Sequence, residues 1–225
     1  MAVTMDPLII AIDGPSGAGK GTIARAVAAK LRYRHIDTGA MYRAVAWLAI
    51  HEGVGLHDEP AIALLGERAR FSVDDDRVLV DGHDVTRAIR TPEIDRASAA
   101  VARLTAVRRV LVAKQRLMGA AGGVVMEGRD IGTVVFPDAD VKIYLDASPE
   151  ERAKRRASDP AHAASAPRVI SEVATALAER DRSDATRADS PLAQASDAIH
   201  IETTDQPIEA VVDRVLKIVR ALPKR

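Results

Sequence analysis

Leu8-Ile9-Ile10-Ala11-Ile12-Asp13 runs into Gly14-Pro15-Ser16-Gly17-Ala18-Gly19-Lys20-Gly21-Thr22, and the chain continues as Ile23-Ala24-Arg25-Ala26-Val27-Ala28-Ala29-Lys30-Leu31. The first run is short, apolar and ended by an acid and a glycine, so it reads as a buried strand, and the last reads as a helix. Strand, glycine-rich turn, lysine and helix start are the parts of a phosphate-binding loop. The glycines let several backbone N–H groups converge on one anion, and the helix N-terminus adds its dipole at the same point. Lys20 adds a full positive charge that can reach the outer phosphates. Gly14, Pro15, Ser16, Gly17, Ala18, Gly19, Lys20, Gly21 and Thr22 are therefore the candidate residues for a nucleoside triphosphate. The general G-x-x-x-x-G-K pattern wants Ser or Thr after the lysine, but Gly21 stands there and the hydroxyl comes at Thr22. That displacement leaves the ligands of a triphosphate-borne Mg²⁺ undefined by sequence.

The 225 residues suit one α/β domain with small inserted lobes. Aromatics are only 3%, so the core must be built from Ala, Val, Leu and Ile. Lys plus Arg equals Asp plus Glu at 32 each, a balance that argues against non-specific binding to nucleic acid or membranes. Cysteine is absent, which excludes disulfides, thiolate catalysis and cysteine-ligated metal centres. No signal-like segment and no membrane-length apolar run is present, and the expectation is a soluble cytoplasmic protein. No long exposed apolar stripe is evident either, so a monomer is expected.

Five apolar runs read as strands of a parallel sheet: 8–13, near 34–37, 123–127, 141–146 and 198–202. Helical patterns separate most of them, which implies α/β architecture with right-handed crossovers. Ile208 to Leu222 has the spacing of an amphipathic helix on that sheet. Two segments interrupt the alternation. Between about 39 and 122, Phe71-Ser72-Val73, Arg77-Val78-Leu79-Val80 and Val85 are parted by acids and by Asp81-Gly82, a hairpin signal, so a small antiparallel sheet is expected. Helices near 92–102 and 105–120 follow it, the first started by Pro92. From about 150 to 187, a charged helix holding Arg152, Lys154, Arg155 and Arg156 leads to a loop-like stretch at 158–167 and a second charged helix to about Arg180. That arrangement is what a lid closing over phosphates needs.

Three clusters follow predicted strands or helices. Thr38-Gly39-Ala40-Met41-Tyr42-Arg43 and Glu127-Gly128-Arg129-Asp130-Ile131-Gly132-Thr133 sit at strand C-terminal ends, where a parallel sheet forms its ligand crevice. In Arg180-Asp181-Arg182-Ser183-Asp184-Ala185-Thr186-Arg187, positions 180, 184 and 187 share a face if the segment is helical. Arginine suits a second anionic ligand because its planar fork binds phosphate oxygens in pairs. Carboxylates could hold sugar hydroxyls or an exocyclic amine. A phosphate acceptor is already ionised, so transfer to it needs positioning and cations rather than a base.

The phosphate loop, the Asp37-Thr38-Gly39-Ala40-Met41-Tyr42-Arg43 run, the Glu127–Pro137 run and Arg180-Asp181-Arg182 occur in that order. The set resembles the bacterial cytidylate kinases, nucleoside monophosphate kinases, over roughly residues 7–220. The resemblance implies a P-loop kinase core with a five-stranded parallel sheet, an inserted nucleoside-monophosphate lobe bearing the small antiparallel sheet, and a helical lid. As one domain over 1–225, the core would comprise about 7–38, 123–150 and 188–225, the lobe about 39–122 and the lid about 150–187. It implies transfer of the γ-phosphoryl group of ATP, with Mg²⁺, to CMP or dCMP. Lys20, Arg129 and Arg187 would then be the catalytic cations. Thr38, Arg43, Arg129 and Arg187 would grip the acceptor phosphate, Arg180 and Asp184 the pentose, and Arg108 and Asp130 the cytosine edge. The family tends to carry a serine near the base. The matching position here is Ala99, with Ser98 one residue earlier, and one helical residue turns a side chain by about 100°, so which of the two faces the base is open.

Two alternatives stand beside this reading. Another small-molecule P-loop kinase, for UMP, AMP or shikimate, would share the loop, although the large insert at 39–122 argues against a shikimate type. A nucleotide-dependent switch would hydrolyse slowly and without an acceptor.

Overall fold

The structure is a computed structural model and describes residues 7–74, 77–159 and 169–222. Strands β1 (Ile9–Asp13), β2 (Arg34–Asp37), β6 (Val124–Gly128), β7 (Val141–Asp146) and β8 (Ile199–Glu202) form one sheet in the order β2-β6-β1-β7-β8. All its pairings are parallel. Central β1 is covered on both faces, which is why its sequence is continuously apolar. Ile10 and Ile12 point to one face, where α1 (Lys20–Leu31) and α8 (Ile208–Arg220) contribute Ile23, Val27, Val212 and Val215. Ala11 points to the other, against Ile36, Met126 and Ile131. Period-two alternation thus divides one apolar run between two cores.

Residues 38–119 add a third apolar cluster, built by α2 (Thr38–His51), α3 (Glu59–Arg68), α4 (Pro92–Val101) and α5 (Thr105–Gly119) around β3 (Phe71–Val73), β4 (Val78–Val80) and β5 (His83–Asp84). The small sheet is antiparallel as expected. Asp81 and Gly82 both take positive φ, 51° and 84°, which the β4–β5 hairpin requires. Val85 lies just past β5 and donates its N–H to Val78 O at 2.9 Å. Helix α3 was not anticipated. Its start is written in the sequence, because Asp58 caps it by accepting from Ala61 N at 3.1 Å and Pro60 occupies the first turn.

Helices α6 (Pro149–Ser158) and α7 (Ile170–Ala185) pack on each other through Ala153, Val173 and Leu177. Helix α7 runs five residues past the expected end at Arg180. Of the loop-like stretch 158–167, only Ser158 and Asp159 fall among the described residues. Other boundaries shift slightly: α1 starts at Lys20, before the first periodic residue, and α8 stops at Arg220, short of Leu222. Among the described residues no helix is long and apolar enough to cross a membrane.

Candidate active site

The loops after β1, β2 and β6 emerge side by side because these strands are neighbours in the sheet. The first is the glycine loop. Gly14 has φ 146°, and a Cβ there would lie 2.0 Å from Leu145 O on β7, so only glycine lets the chain leave β1 in this direction. The loop opens on a cleft of about 690 Å³ lined by Ser16 to Thr22, while Gly14 and Pro15 stay behind it. Lys20 is buried, and its Nζ donates to Pro15 O at 2.7 Å. Burial, with the Arg129 charge next, pushes its ammonium down to about 7. Gly21 also has a physical reason. A Cβ there would come 3.0 Å from Glu127 Oε1, so a serine would crowd that carboxylate.

Strand β2 ends in Asp37, which caps α2 by accepting from Ala40 N at 3.0 Å and accepts from Arg43 Nη2 at 2.8 Å. Burial works against that charge, yet Arg43 and Arg90 draw the carboxyl down to about 2. Arg43 is thereby fixed over the cleft. Thr38 donates its hydroxyl to Glu127 O at 2.7 Å, tying α2 to the end of β6.

The loop after β6 carries Arg129 and Asp130 into a π-helical turn at Ile131–Val135, which sequence periodicity did not suggest. Asp13, the last residue of β1, holds that turn by accepting from Ile131 N at 2.8 Å and Gly132 N at 2.7 Å. Burial pushes the Asp13 carboxyl up to about 6 despite these two amides. Arg129 Nε donates to Asp184 Oδ2 at 2.9 Å. Asp130 pairs with Arg108 of α5, the largest fully buried side chain among the described residues. Burial raises the Asp130 carboxyl while Arg108, Arg187 and Arg129 pull against it.

Every acceptor-side residue anticipated from sequence faces this one cleft: Thr38, Arg43, Arg108, Arg129, Asp130, Arg180, Asp184 and Arg187. Arg187 lies beyond the end of α7 rather than on its helical face, but it still meets Asp184, Nη1 to Oδ1 at 3.5 Å. Burial, then Arg129, lowers Arg180 to about 10. Ser98 lines the cleft and Ala99 does not. Ser98 donates its hydroxyl to Asp95 O at 2.9 Å. Of the basic α6 residues, Arg155 and Arg156 line the cleft, whereas Arg152 and Lys154 do not. Sequence reading passed over Arg90, Thr203 and Gln206 and gave Tyr42 and Glu127 no role within their clusters, yet all five line the cleft. Thr203 and Gln206 follow β8, so the strand-end rule that found Arg43 and Arg129 also reaches them.

The electrostatics point to an anion. Nine cationic side chains line the cleft (Lys20, Arg43, Arg90, Arg108, Arg129, Arg155, Arg156, Arg180, Arg187) against six carboxylates (Asp37, Glu127, Asp130, Glu151, Asp159, Asp184). Arg43 Nε, Arg108 Nε, Arg187 Nε and Nη2, and Tyr42 Oη are buried without a hydrogen-bond partner. Buried donors of this kind are rare unless something absent completes them.

A P-loop, a parallel sheet and a second arginine-lined subsite in the same cleft define a P-loop kinase. A shikimate kinase from Bacteroides thetaiotaomicron shares the fold, with a TM-score of 0.51 at 12% identity over 95% of this chain and 98% of that one. The cytidylate kinase family model matches residues 10–221, and the chain belongs to that family of ATP-dependent phosphotransferases. The chain is 47% identical over 215 residues to a cytidylate kinase of Solibacter usitatus, covering 95% of this chain and 93% of that one. It is 49% identical over 220 residues to a cytidylate kinase of Pelotomaculum thermopropionicum, covering 94% and 96%. A bifunctional pantoate ligase/cytidylate kinase of Prochlorococcus marinus is 45% identical over 94% of this chain, which spans 44% of that longer protein.

Proposed function

We propose that this enzyme transfers the γ-phosphoryl group of ATP to CMP or dCMP, giving ADP and CDP or dCDP. One observation carries the reading: the phosphate loop shares a single cleft with Thr38, Arg43, Arg129 and Arg187 and with the buried Arg108–Asp130 pair. The loop amides and Lys20 hold the triphosphate. Arg43, Arg129 and Arg187, the last with two buried free donors, hold the acceptor phosphate. That phosphate is ionised and attacks the γ-phosphorus without a base, while Lys20, Arg129 and Arg187 neutralise charge on the transferring group. Arg180 and Asp184 face the pentose.

The base is read by a guanidinium beside a carboxylate. Cytosine presents its N4 amine, a donor, next to acceptors at N3 and O2. Asp130 accepts from the amine and Arg108 donates to the acceptors, with Ser98 adding a hydroxyl. Uracil would set a carbonyl against Asp130, a mismatch of about 1–3 kcal/mol that biases against UMP without abolishing its use.

The family resemblance implies a Mg²⁺ that arrives on the triphosphate. The Thr22 hydroxyl and the Glu127 carboxylate are the oxygen donors beside the loop that would hold it. When bound, it supplies charge neutralisation on the phosphates. Helices α6 and α7 act as the lid and residues 39–122 as the acceptor lobe. The reading takes the enzyme as a cytoplasmic monomer.

The test is ADP release from MgATP with CMP, dCMP, UMP, AMP, GMP or TMP, and with no acceptor. High turnover with CMP and dCMP, low with UMP and negligible otherwise, is expected. Preference for another acceptor would overturn the base assignment, and acceptor-independent release would favour a switch.

A further inference from the structure

Asp181 and Arg152 lie outside the cleft lining, yet both touch the phosphate loop. Ser16 N donates to Asp181 Oδ1 at 3.2 Å, and Arg152 Nη1 donates to Ser16 O at 3.1 Å. Arg152 also pairs directly with Asp181 and donates from Nε to Ala147 O, at the end of β7, at 3.1 Å. Both side chains are mostly buried, so water screens the pair little. The loop presses on α6 here: a Cβ on Gly17 would meet the Arg152 Cβ and carbonyl oxygen at 2.9 Å each. One residue of the donor loop, Ser16, is thus clamped on both its N–H and its C=O by one residue from each of α6 and α7.

Asp181 sits on the same stretch of α7 as Arg180 and Asp184, which the proposed function assigns to the acceptor pentose. Helix α7 therefore touches the donor loop with one carboxylate and the acceptor site with its neighbours. The geometry points to Asp181 and Arg152 as positioning residues that set the register between the triphosphate and the acceptor nucleotide. This inference rests on the kinase reading above. An alignment device changes kcat rather than binding, because each nucleotide keeps its own contacts while the distance between reacting groups is lost.

Asp181→Ala, Asp181→Asn and Arg152→Met are compared with the full-length wild type by CMP-dependent ADP release and by thermal unfolding. Asp181→Ala should lower kcat by about 10–100-fold, the cost of a misplacement near 1 Å, while KM for ATP and CMP changes by less than about threefold. Asp181→Asn keeps an acceptor for the Ser16 N–H and should recover part of kcat. Arg152→Met should reproduce the loss and carries the test if Asp181→Ala does not fold. Unchanged kcat in Asp181→Ala and Arg152→Met, or KM values that rise in step with a fall in thermal stability, would overturn the positioning role. Failure of the kinase reading would show separately, as a wild type with no acceptor-dependent ADP release.

Discussion

Lys20→Met should make the empty protein more stable and nearly inactive, and the gain should depend on pH. The Lys20 ammonium is buried and lowered from its ordinary 10.5 to about 7, chiefly by burial and then by the Arg129 charge. The folded value lies below the unfolded one, so the folded chain binds fewer protons between about 7 and 10.5. Its stability therefore rises with pH across that window. The cost of burying Lys20 is full below pH 7, about 4 kcal/mol at pH 7, about 2 kcal/mol at pH 9, and gone above about 10.5. Methionine keeps an unbranched stem of similar length but leaves Pro15 O without its 2.7 Å donor, a loss of about 1 kcal/mol. The net gain is about 3 kcal/mol at pH 7 and about 1 kcal/mol at pH 9. Urea unfolding of wild type and variant at both pH values measures it. Turnover should fall by roughly 10²–10³, since a group that neutralises transition-state charge has gone. A variant no more stable than wild type at pH 7, or a gain that grows with pH, would refute the reasoning.

Asp130→Ala leaves Arg108 buried beside no counter-charge, so urea unfolding should show a loss of about 3–5 kcal/mol, and the CMP-over-UMP preference in kcat/KM should shrink about tenfold; equal losses on both acceptors would remove Asp130 from base reading. Arg187→Lys keeps the charge but gives up the planar fork, and should raise KM for CMP about tenfold with KM for ATP little changed in steady-state assays; an unchanged KM for CMP would count against an acceptor-phosphate role. Gly14→Ala places a methyl 2.0 Å from Leu145 O and should cost more than about 4 kcal/mol, visible as insoluble expression or a large fall in Tm. Ser98→Ala should raise KM for CMP by a few-fold with Tm nearly unchanged, a net hydrogen bond being worth about 1 kcal/mol, whereas no change in KM would leave Ser98 a purely structural lining.

The core sheet was legible because buried parallel strands are rich in apolar residues: β1 is apolar up to Asp13, β6 up to Glu127, and β7 is apolar apart from Lys142 and its last residue, Asp146. The candidate site was legible because glycines and arginines cluster after those strands, where a parallel sheet opens. What escaped has a physical character too. The π-helical turn at Ile131–Val135 exists because Asp13 accepts from two of its amides across 118 and 119 residues of sequence, and no local pattern encodes such a contact. Helix α3 was not anticipated, although Asp58 and Pro60 mark its start. Whether Ser98 or Ala99 faces the cleft depended on the rotation of α4, which is set by packing of Ile94, Ala97 and Val101 rather than by their spacing alone.

The charges of the cleft set stability against activity. Nine cations cannot be held together without counter-charges, and internal pairings supply them, among them Asp37 with Arg43 and Arg90, Asp130 with Arg108, Asp184 with Arg129 and Arg187, Glu151 with Arg155, and Asp95 with Arg156 and Arg180. Each pairing also orients its arginine, so the site is pre-formed before any nucleotide arrives. The pairings are incomplete, since buried N–H groups remain on Arg43, Arg108 and Arg187. Arginine allows this division of labour because its five N–H donors form more than one edge, so one edge can bind a carboxylate while another stays free for a phosphate. Lysine carries its three donors on one compact ammonium without a second planar edge: Lys20 donates one to Pro15 O at 2.7 Å, and the others are what a phosphate would meet. The depressed ammonium of Lys20 and the orphaned donors of Arg187 are thus two forms of the same stored demand for anionic charge, which bound phosphates would meet.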